Sequence, residues 1–277
     1  MNIENIKQLV KMIIKTPNSN LFIHGRGGIG KTHNVLNTLK EQGLEHNSEY
    51  ILIKGYITPL KFYQTLYDNN DKKLIVIDDV EGLFNNKISK SLLKACLESI
   101  NGIKIVQYSS TSMDPAIYPN EFNFKPNVIV CANGIPNDLD FKAVLDRCFT
   151  YNLIVSNRQL LKNIKSILKK PYKTITLQAR RSIYYCLKKR IKPYHTNFSY
   201  RFYFKCLDAY LFNPLIWKHL MFENLHTDEE HKIVMKLNVK GGSLKSQHKI
   251  FHKYTGKSYR TFLRVRKLLG FKKYMKF

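Results

Sequence analysis

A glycine-rich stretch at residues 25–32 most constrains what this chain of 277 residues can fold into. It follows an apolar run at 21–23 and precedes a helical pattern at 32–41, the strand–loop–helix setting of a phosphate-binding loop. The pattern G-x-x-x-x-G-K-[ST] is matched in full by Gly25, Arg26, Gly27, Gly28, Ile29, Gly30, Lys31 and Thr32. Glycines let backbone N–H groups wrap phosphates, the lysine reaches the β- and γ-phosphates, and the hydroxyl helps to hold Mg²⁺. The stretch therefore predicts a nucleoside triphosphate site, with ATP and Mg²⁺ as cofactors.

Two aspartates follow the apolar strand pattern at 74–77. Adjacent aspartates are more often a solvated turn, but the end of a buried strand would place them beside the phosphate loop. There Asp78 is predicted to bind Mg²⁺ through water, and Asp79 to orient or deprotonate the attacking water. Asn133 ends another strand pattern at 127–133, and we expect it to contact the γ-phosphate or that water.

Arg147 stands at the end of a short helical pattern, just before the last strand pattern of this region. A lone arginine is ordinarily a surface residue. Its position here suggests an arginine finger, which stabilises transition-state charge on the nucleotide of a neighbouring subunit. The expected assembly is therefore a homo-oligomer.

Strand patterns alternate with helical patterns up to residue 156. The predicted strands are 21–23, 50–54, 74–77, 103–108, 127–131 and 149–155. This alternation predicts the α/β fold class, with a parallel sheet covered on both faces. Beyond residue 156 the predicted elements are helices at 160–169, 175–190, 203–211, 229–237, 243–253 and 258–269, with soft boundaries near 156 and 225.

The order of these motifs resembles that of AAA+ ATPases, particularly the small viral, phage and plasmid kinds that include superfamily-3 helicases. The resemblance covers about residues 1–190. It implies an AAA+ P-loop core at 1–156, a helical lid at 157–225, and assembly into rings, such as hexamers, or filaments with ATP between subunits. It also implies a second sensor arginine in the lid, for which Arg180 is the candidate; a solvated basic helix face is the alternative.

The chain departs from this family in two places. Most AAA+ proteins have Asp-Glu where this chain has Asp78-Asp79, and the shorter second carboxylate implies slower hydrolysis. The closest alignment of the second sensor falls on Gln178, two residues before Arg180. The same nucleotide motifs also resemble signalling STAND ATPases, which usually continue into long repeat arrays; we rank that interpretation third.

Positive charge is concentrated in the second part of the chain. Residues 1–150 carry 17 Lys and Arg against 15 Asp and Glu, whereas residues 151–277 carry 29 against 5. A generally basic surface would have spread the excess evenly, so the asymmetry favours a polyanion-binding region and a nucleic-acid partner.

Residues 226–277 contain a pattern that resembles a helix-turn-helix. Thr255-Gly256 supplies the turn and Ser258 a helix cap, while Leu244, Ile250 and Phe251 are predicted to pack against Phe262, Val265 and Leu269. With 258–269 as the recognition helix, the residues predicted to face DNA are Tyr259, Arg260, Arg264 and Lys267. The alternative is a basic helical hairpin that completes the lid.

Other features exclude several classes of site. The five scattered cysteines form no C-x-x-C pair, which argues against a disulfide framework or a zinc site. His248 and His252 lack a third ligand pattern, so we expect Mg²⁺ alone as metal. Aromatic residues at 194–210 are predicted mainly as core, with stacking on single-stranded bases as the alternative. No apolar run is long enough for a membrane span, and the start of the sequence lacks a signal-peptide pattern. We therefore expect a cytoplasmic or nucleoid-associated protein, with an organellar or viral origin as the alternative.

Together these patterns predict an ATP-hydrolysing, oligomeric DNA-binding protein: a replication initiator or helicase of a virus, plasmid or similar element, working with other replication proteins. The alternative is a nucleotide switch without motor activity, such as a helicase loader, a transposition helper or a transcription regulator.

Overall fold

A computed structural model describes residues 2–114 and 116–271 of the chain. The chain divides into two compact units, Met1–Leu153 and Ile154–Phe277. No helix among the described residues has the length and apolar character needed to cross a bilayer. The three-part division of the chain at 156 and 225 stays a prediction.

The first unit is built on a parallel sheet of five strands. In chain order the strands of this unit are β1 Asn20–His24, β2 Tyr50–Lys54, β3 Leu74–Asp78, β4 Lys104–Gln107, β5 Glu121–Phe124, β6 Asn127–Ala132 and β7 Phe149–Asn152. The parallel sheet has the order β2-β3-β6-β1-β7. Strands β3 and β6 are buried along their whole length, and their apolar runs at 74–77 and 128–132 are typical of strands covered on both faces. The predicted α/β class and parallel sheet are confirmed.

Six helices cover this sheet: α1 Asn2–Lys15, α2 Lys31–Glu41, α3 Pro59–Asp68, α4 Glu81–Asn85, α5 Lys87–Leu97 and α6 Leu139–Asp146. Helix α1 packs on α2 and contacts β1. Apolar residues of α3, α5 and α6 share one core with alternate residues of the strands, among them Phe22, Ile75, Ile77 and Val130. Side-chain caps begin several of these helices; Thr58, for example, accepts from the Lys61 N–H ahead of Pro59.

Strands β4 and β5 do not join the parallel sheet. They pair with each other antiparallel, and along β4 Lys104 and Val106 are buried whereas Ile105 and Gln107 are exposed. The sequence prediction of a strand at 103–108 was therefore nearly right in position but wrong in partner. The prediction missed β5 altogether, because a four-residue strand with two polar residues carries little signal.

The second unit is helical throughout its described residues. Its helices are α7 Asn157–Ile167, α8 Leu177–Arg190, α9 Tyr200–Phe212, α10 Trp217–Phe222, α11 Glu229–Lys240, α12 Leu244–Thr255 and α13 Tyr259–Leu268. Phe198, Phe202 and Tyr203 are buried in this unit, so these aromatic residues form core and are not platforms for bases.

Helices α11, α12 and α13 form a small core of their own, made by Val234, Leu237, Phe251, Phe262, Val265 and Leu269. Gly256 takes a left-handed conformation (φ 67°) between α12 and α13, and the Ser258 side chain caps α13 by accepting from the Thr261 N–H. Phe251 and Phe262 pack with ring centroids 5.4 Å apart. Ile250, predicted to join this core, is exposed: it immediately precedes the buried Phe251, and neighbouring positions of a helix point in different directions.

Candidate nucleotide site and basic helical face

The glycine-rich loop leaves the carboxyl end of β1 and leads directly into α2, whose first residue is Lys31. Gly28 and Gly30 have φ values of 73° and 93°, which side-chain-bearing residues rarely adopt. At Gly25 a Cβ atom would lie 2.4 Å from the backbone oxygen of Leu153. The loop conformation therefore needs glycine at these positions, and it presents the start of a helix to any anion bound there.

Lys31 is the buried cation of this loop. Its ammonium donates to the backbone oxygens of Gly25 (2.8 Å) and Arg26 (3.1 Å) and to Oδ1 of Asn133 (2.9 Å). Asn133 comes immediately after β6, the strand beside β1. The sheet thus unites two predicted site residues that are 102 positions apart.

Asp78 and Thr32 form the second part of the site. The Thr32 hydroxyl donates to Oδ1 of the buried Asp78. The other carboxylate oxygen, Oδ2, lies 3.2 Å from the ammonium of Lys54, which is the register partner of Asp78 on β2. A hydroxyl beside a carboxylate is an oxygen donor set of the kind that Mg²⁺ prefers.

Lys54 was not predicted as a site residue. A signal for it existed, because β2 and β3 end in Lys54 and Asp78, and parallel neighbouring strands bring their last residues together. Since the pairing of β2 with β3 cannot be read from either strand alone, the sequence did not reveal the ion pair.

Asp79 has a strained backbone, with φ at 52°. Its N–H donates to the Cys131 carbonyl (3.0 Å), and within the part of the chain that the structure describes its Oδ1 is buried without a hydrogen-bond partner. Asp79 and Asn133 line a pocket of about 240 Å³ together with Phe84, Asn85, Ala132, Gly134, Ile135 and Pro136. A buried acceptor beside a cavity has the position that a residue binding a water molecule needs.

The electrostatics of the site favour an anion. Burial lowers the pKa of Arg26, and burial together with the Lys31 charge lowers the pKa of His24. Burial raises the pKa of Cys131 to about 12, so this thiol stays protonated near neutral pH. The Cys131 thiol is therefore not a reactive nucleophile in this site.

These observations test whether the residues fit Mg²⁺ and a nucleoside triphosphate. The glycine cradle, the Lys31 ammonium, the Thr32–Asp78 pair and the orphaned Asp79 oxygen each supply a donor or acceptor that such a ligand needs. The residues fit. The first unit has a phosphate-loop NTPase fold.

Arg147 lies at the other end of the sheet. It follows α6 and precedes β7, whose first residue pairs with Leu21 near the start of β1. Its guanidinium donates to the Ala143 carbonyl (2.7 Å) and to Oε2 of Glu98 (2.7 Å). The length of β1 thus separates Arg147 from the phosphate loop of its own chain.

Arg180 is buried within the helical unit. Its guanidinium donates to the backbone oxygens of Leu168 (3.1 Å) and Ile175 (2.8 Å). The observed role is to connect α8 to the preceding loop, which argues against both a nucleotide contact and a solvated basic face.

The four predicted DNA-facing residues are all exposed on α13. Arg260, Arg264 and Lys267 are spaced four and three positions apart, which places them on one face of the helix. The ring of Tyr259 packs against His248, with centroids 5.0 Å apart. Arg266, which no prediction singled out, is instead buried, where it donates to Asn238 (3.0 Å) and Gln247 (2.8 Å).

No protein-family model matches the chain. An uncharacterized 36.7 kDa protein from the nrdC–mobD intergenic region of Enterobacteria phage T4 is 29% identical over 123 residues, which is 43% of this chain and 38% of the phage protein. The chain thus aligns with well under two thirds of that relative.

Solved structures resemble the chain at low sequence identity. A replication initiator DnaA bound to AMPPCP and single-stranded DNA is 14% identical with a TM-score of 0.45, over 96% of this chain and 82% of that one. The Thermotoga maritima RuvB Holliday junction branch migration motor is 14% identical with a TM-score of 0.44, over 96% and 86%. The fold assignment of this chain rests on its own sheet order and phosphate loop.

Proposed function

We propose that this chain is an oligomeric AAA+ ATPase that binds DNA through its helical unit. The observation that carries the ATP half is the convergence of Lys31, Asn133 and the Thr32–Asp78 pair at one end of the parallel sheet. In this proposal Lys31 exchanges its carbonyl partners for the β- and γ-phosphates, and Thr32 and Asp78 hold Mg²⁺.

The reaction is attack of water on the γ-phosphorus, with cleavage of its bond to the bridging oxygen and release of ADP and phosphate. Mg²⁺, when bound, neutralises charge on the phosphate oxygens. Asp79 accepts the proton of the attacking water, for which its unpartnered Oδ1 is suited. Asn133 orients that water or the γ-phosphate, and Arg147 of a neighbouring copy stabilises the charge that develops.

The DNA half rests on charge and on α13. Arg260, Arg264 and Lys267 present one exposed basic face, and α12, Gly256 and α13 follow each other as helix, tight turn and helix. In a helix-turn-helix module the second helix enters the major groove. We assign α13 that role, which makes the protein a candidate replication initiator or helicase associated with the nucleoid or with a viral genome.

The test measures ATP hydrolysis against protein concentration, with and without single- and double-stranded DNA. Lys31→Ala is expected to abolish nucleotide binding. Arg147→Ala is expected to retain binding and to lose about 10³-fold in hydrolysis rate. Circular dichroism checks that each variant is folded. Full hydrolysis by Arg147→Ala contradicts the finger assignment, and an absent or salt-insensitive DNA affinity contradicts the DNA half.

A nucleotide switch is the second candidate function, and the observation that favours it is Asp79. Its side chain is one methylene shorter than the glutamate common at this position. The shorter reach favours slow ATP hydrolysis and a long-lived ATP-bound state. Strand displacement on forked DNA separates the two functions: a helicase unwinds the fork, whereas a loader, transposition helper or regulator hydrolyses ATP without unwinding.

A further inference from the structure

Four large apolar side chains are exposed near the start of β1: Ile100, Ile103, Ile105 and Phe149, here called the amino-edge patch. Ile100 and Ile103 exchange backbone hydrogen bonds of 2.9 and 3.0 Å. Ile105 lies two residues further along, on the outward face of β4. Phe149 is the first residue of the edge strand β7. Exposed apolar side chains grouped in this way mark interaction surfaces.

Hydrogen bonds hold the segments of this patch together. At the start of β1, the side-chain amide of Asn20 donates to the backbone oxygens of Leu97 (2.8 Å) and Arg147 (3.4 Å). The side chain of Asn18 donates to the backbone oxygen of Gly102 (3.0 Å). These bonds bring the ends of α5 and α6 and the turn before β4 to one edge of the sheet.

An ion pair belongs to the same edge. Glu98 comes two residues before Ile100, and Arg147 comes two residues before Phe149. The Arg147 guanidinium lies 2.7 Å from Oε2 of Glu98. Both side chains are partly exposed. Among the described residues, the Nε–H of Arg147 is buried without an acceptor. The edge that carries the patch therefore also carries a guanidinium whose Nε–H its own chain leaves unsatisfied.

This cation cannot serve the nucleotide site of its own chain. The five residues of β1 span about 16 Å at 3.3 Å per residue, which is more than an arginine side chain can reach, and the loop lies at the far end. Because Arg147 and Glu98 are both partly exposed, an anion on a partner that covers the patch can reach the guanidinium and compete with Glu98. Phosphates held by the glycine loop of a second copy are such an anion.

We propose that the amino-edge patch is the surface on which a second copy of this chain docks, and that Glu98 competes with that copy's nucleotide for Arg147. The inference rests on the proposed ATP binding. Glu98 acts as a restraint, since the guanidinium must leave it before it can contact phosphate in the other copy. Docking is thereby linked to nucleotide, because without phosphate the guanidinium keeps its carboxylate partner.

The first test measures self-association by sedimentation velocity over a range of protein concentrations, with Mg²⁺ and a non-hydrolysable ATP analogue. Ile105→Asp places a charge in the patch and is expected to raise the concentration of half-maximal assembly at least tenfold. Ile117→Asp is the matched control, because Ile117 is 60% exposed against 56% for Ile105 but lies in the loop beyond β4. Equal assembly of the two variants overturns the docking surface.

The second test changes the restraint. Glu98→Gln is expected to lower the concentration of half-maximal assembly about threefold, the size of effect that an exposed ion pair gives. Glu41→Gln is its control, because Glu41 pairs with Lys7 at 2.8 Å and has nearly the same exposure, 49% against 47%. Unchanged or weaker assembly by Glu98→Gln overturns the competition.

Binding of a fluorescent ATP analogue by dilute protein separates these outcomes from failure of the proposed function. If the wild-type chain does not bind nucleotide, the proposed function fails first. If it binds nucleotide and remains monomeric at every concentration, the docking inference and the oligomeric part of the proposed function both fail. If it assembles with nucleotide but Ile105→Asp and Glu98→Gln assemble like the wild type, the docking inference alone is wrong. Thermal unfolding of each variant is expected to match the wild type, because every substituted side chain is exposed in the single chain.

Discussion

At the level of single residues, Lys54 has the clearest consequence for the nucleotide site. Its ammonium lies 3.2 Å from the carboxylate that is proposed to hold Mg²⁺, so lysine and metal compete for Asp78. We expect Lys54→Met to lower the Mg²⁺ concentration at half-maximal nucleotide binding about three- to tenfold. A Mg²⁺ titration with a fluorescent nucleotide measures this, and the exposed Lys61→Met is the control. A higher Mg²⁺ requirement would contradict the competition.

Gly25 tests the phosphate loop through stability. A Cβ there meets the Leu153 oxygen at 2.4 Å, whereas a Cβ at Gly43, which also has a positive φ, meets nothing within 4 Å. We expect Gly25→Ala to lower the free energy of unfolding by about 2 kcal/mol more than Gly43→Ala. Urea unfolding of both variants provides the comparison, and equal losses would mean that backbone conformation alone demands glycine.

Lys104 gives a prediction about pH. Burial lowers its pKa to about 8, and its ammonium donates to the Pro126 carbonyl (2.7 Å). Because the folded pKa lies below the unfolded value, the unfolded chain binds more protons between about pH 8 and 10.5, so this lysine makes stability rise with pH there. The full contribution is about 3 kcal/mol.

The thiols of Cys96 and Cys148 act in the opposite direction over an overlapping range, from about pH 9 to 12. Burial raises the pKa of Cys96 and Cys148 to about 12, and such groups make stability fall as the pH rises. The measurement is therefore the difference in unfolding free energy between the wild type and Lys104→Met at pH 7.5 and 10. The unfolding free energy of the wild type minus that of Lys104→Met is expected to increase from pH 7.5 to pH 10. An unchanged or smaller difference at the higher pH would contradict the assignment.

At the level of elements, two of the three arginines of α13 have opposite roles. Arg264 is exposed, whereas Arg266 is buried and donates to Asn238 and Gln247. We expect Arg264→Met to weaken DNA binding and to reduce the slope of the logarithm of the binding constant against the logarithm of salt concentration by about one. The free energy of unfolding is expected to stay unchanged. Arg266→Met is expected to cost about 2–3 kcal/mol, since it leaves the buried Gln247 oxygen and the partly buried Asn238 oxygen without their donor. Salt titrations of binding and urea unfolding distinguish the two, and interchanged results would reverse the assignment of the helix faces.

Sequence patterns predicted elements well wherever a local signal existed. Asp228, Ser243 and Ser258 cap α11, α12 and α13, and these three predicted helices begin within one residue of the observed ones. The predicted starts of α7, α8 and α9 differ from the observed ones by two or three residues. The pairing of β4 with β5 and the Glu98–Arg147 ion pair were missed because both join segments distant in sequence. Lys54 was missed for the same reason. Arg180 was assigned as a second sensor by resemblance, whereas its guanidinium donates to two nearby backbone carbonyls.

At the level of the whole molecule, the two units differ in charge, and this difference decides where salt acts. Residues 151–277 carry nearly all of the excess of Lys and Arg. We expect DNA affinity to fall by orders of magnitude between 50 and 200 mM salt, while nucleotide binding, which rests on the short contacts of Lys31, changes little. Parallel titrations of the two ligands measure this, and a shared salt dependence would contradict separate binding regions.

Strand β1 constrains where residues can be inserted or deleted among relatives of this chain. It is paired on both sides, Leu21 with Ile129 and with Phe149, so the gain or loss of one residue would turn its side chains to the opposite faces. The number of residues from Asn20 to Gly25 is therefore expected to stay constant in distant relatives, even where few letters are shared. Insertions are expected in the connection between β4 and β5, where chain length alters no paired strand. The spacing along β1 is thus expected to persist between distant relatives after percentage identity has fallen.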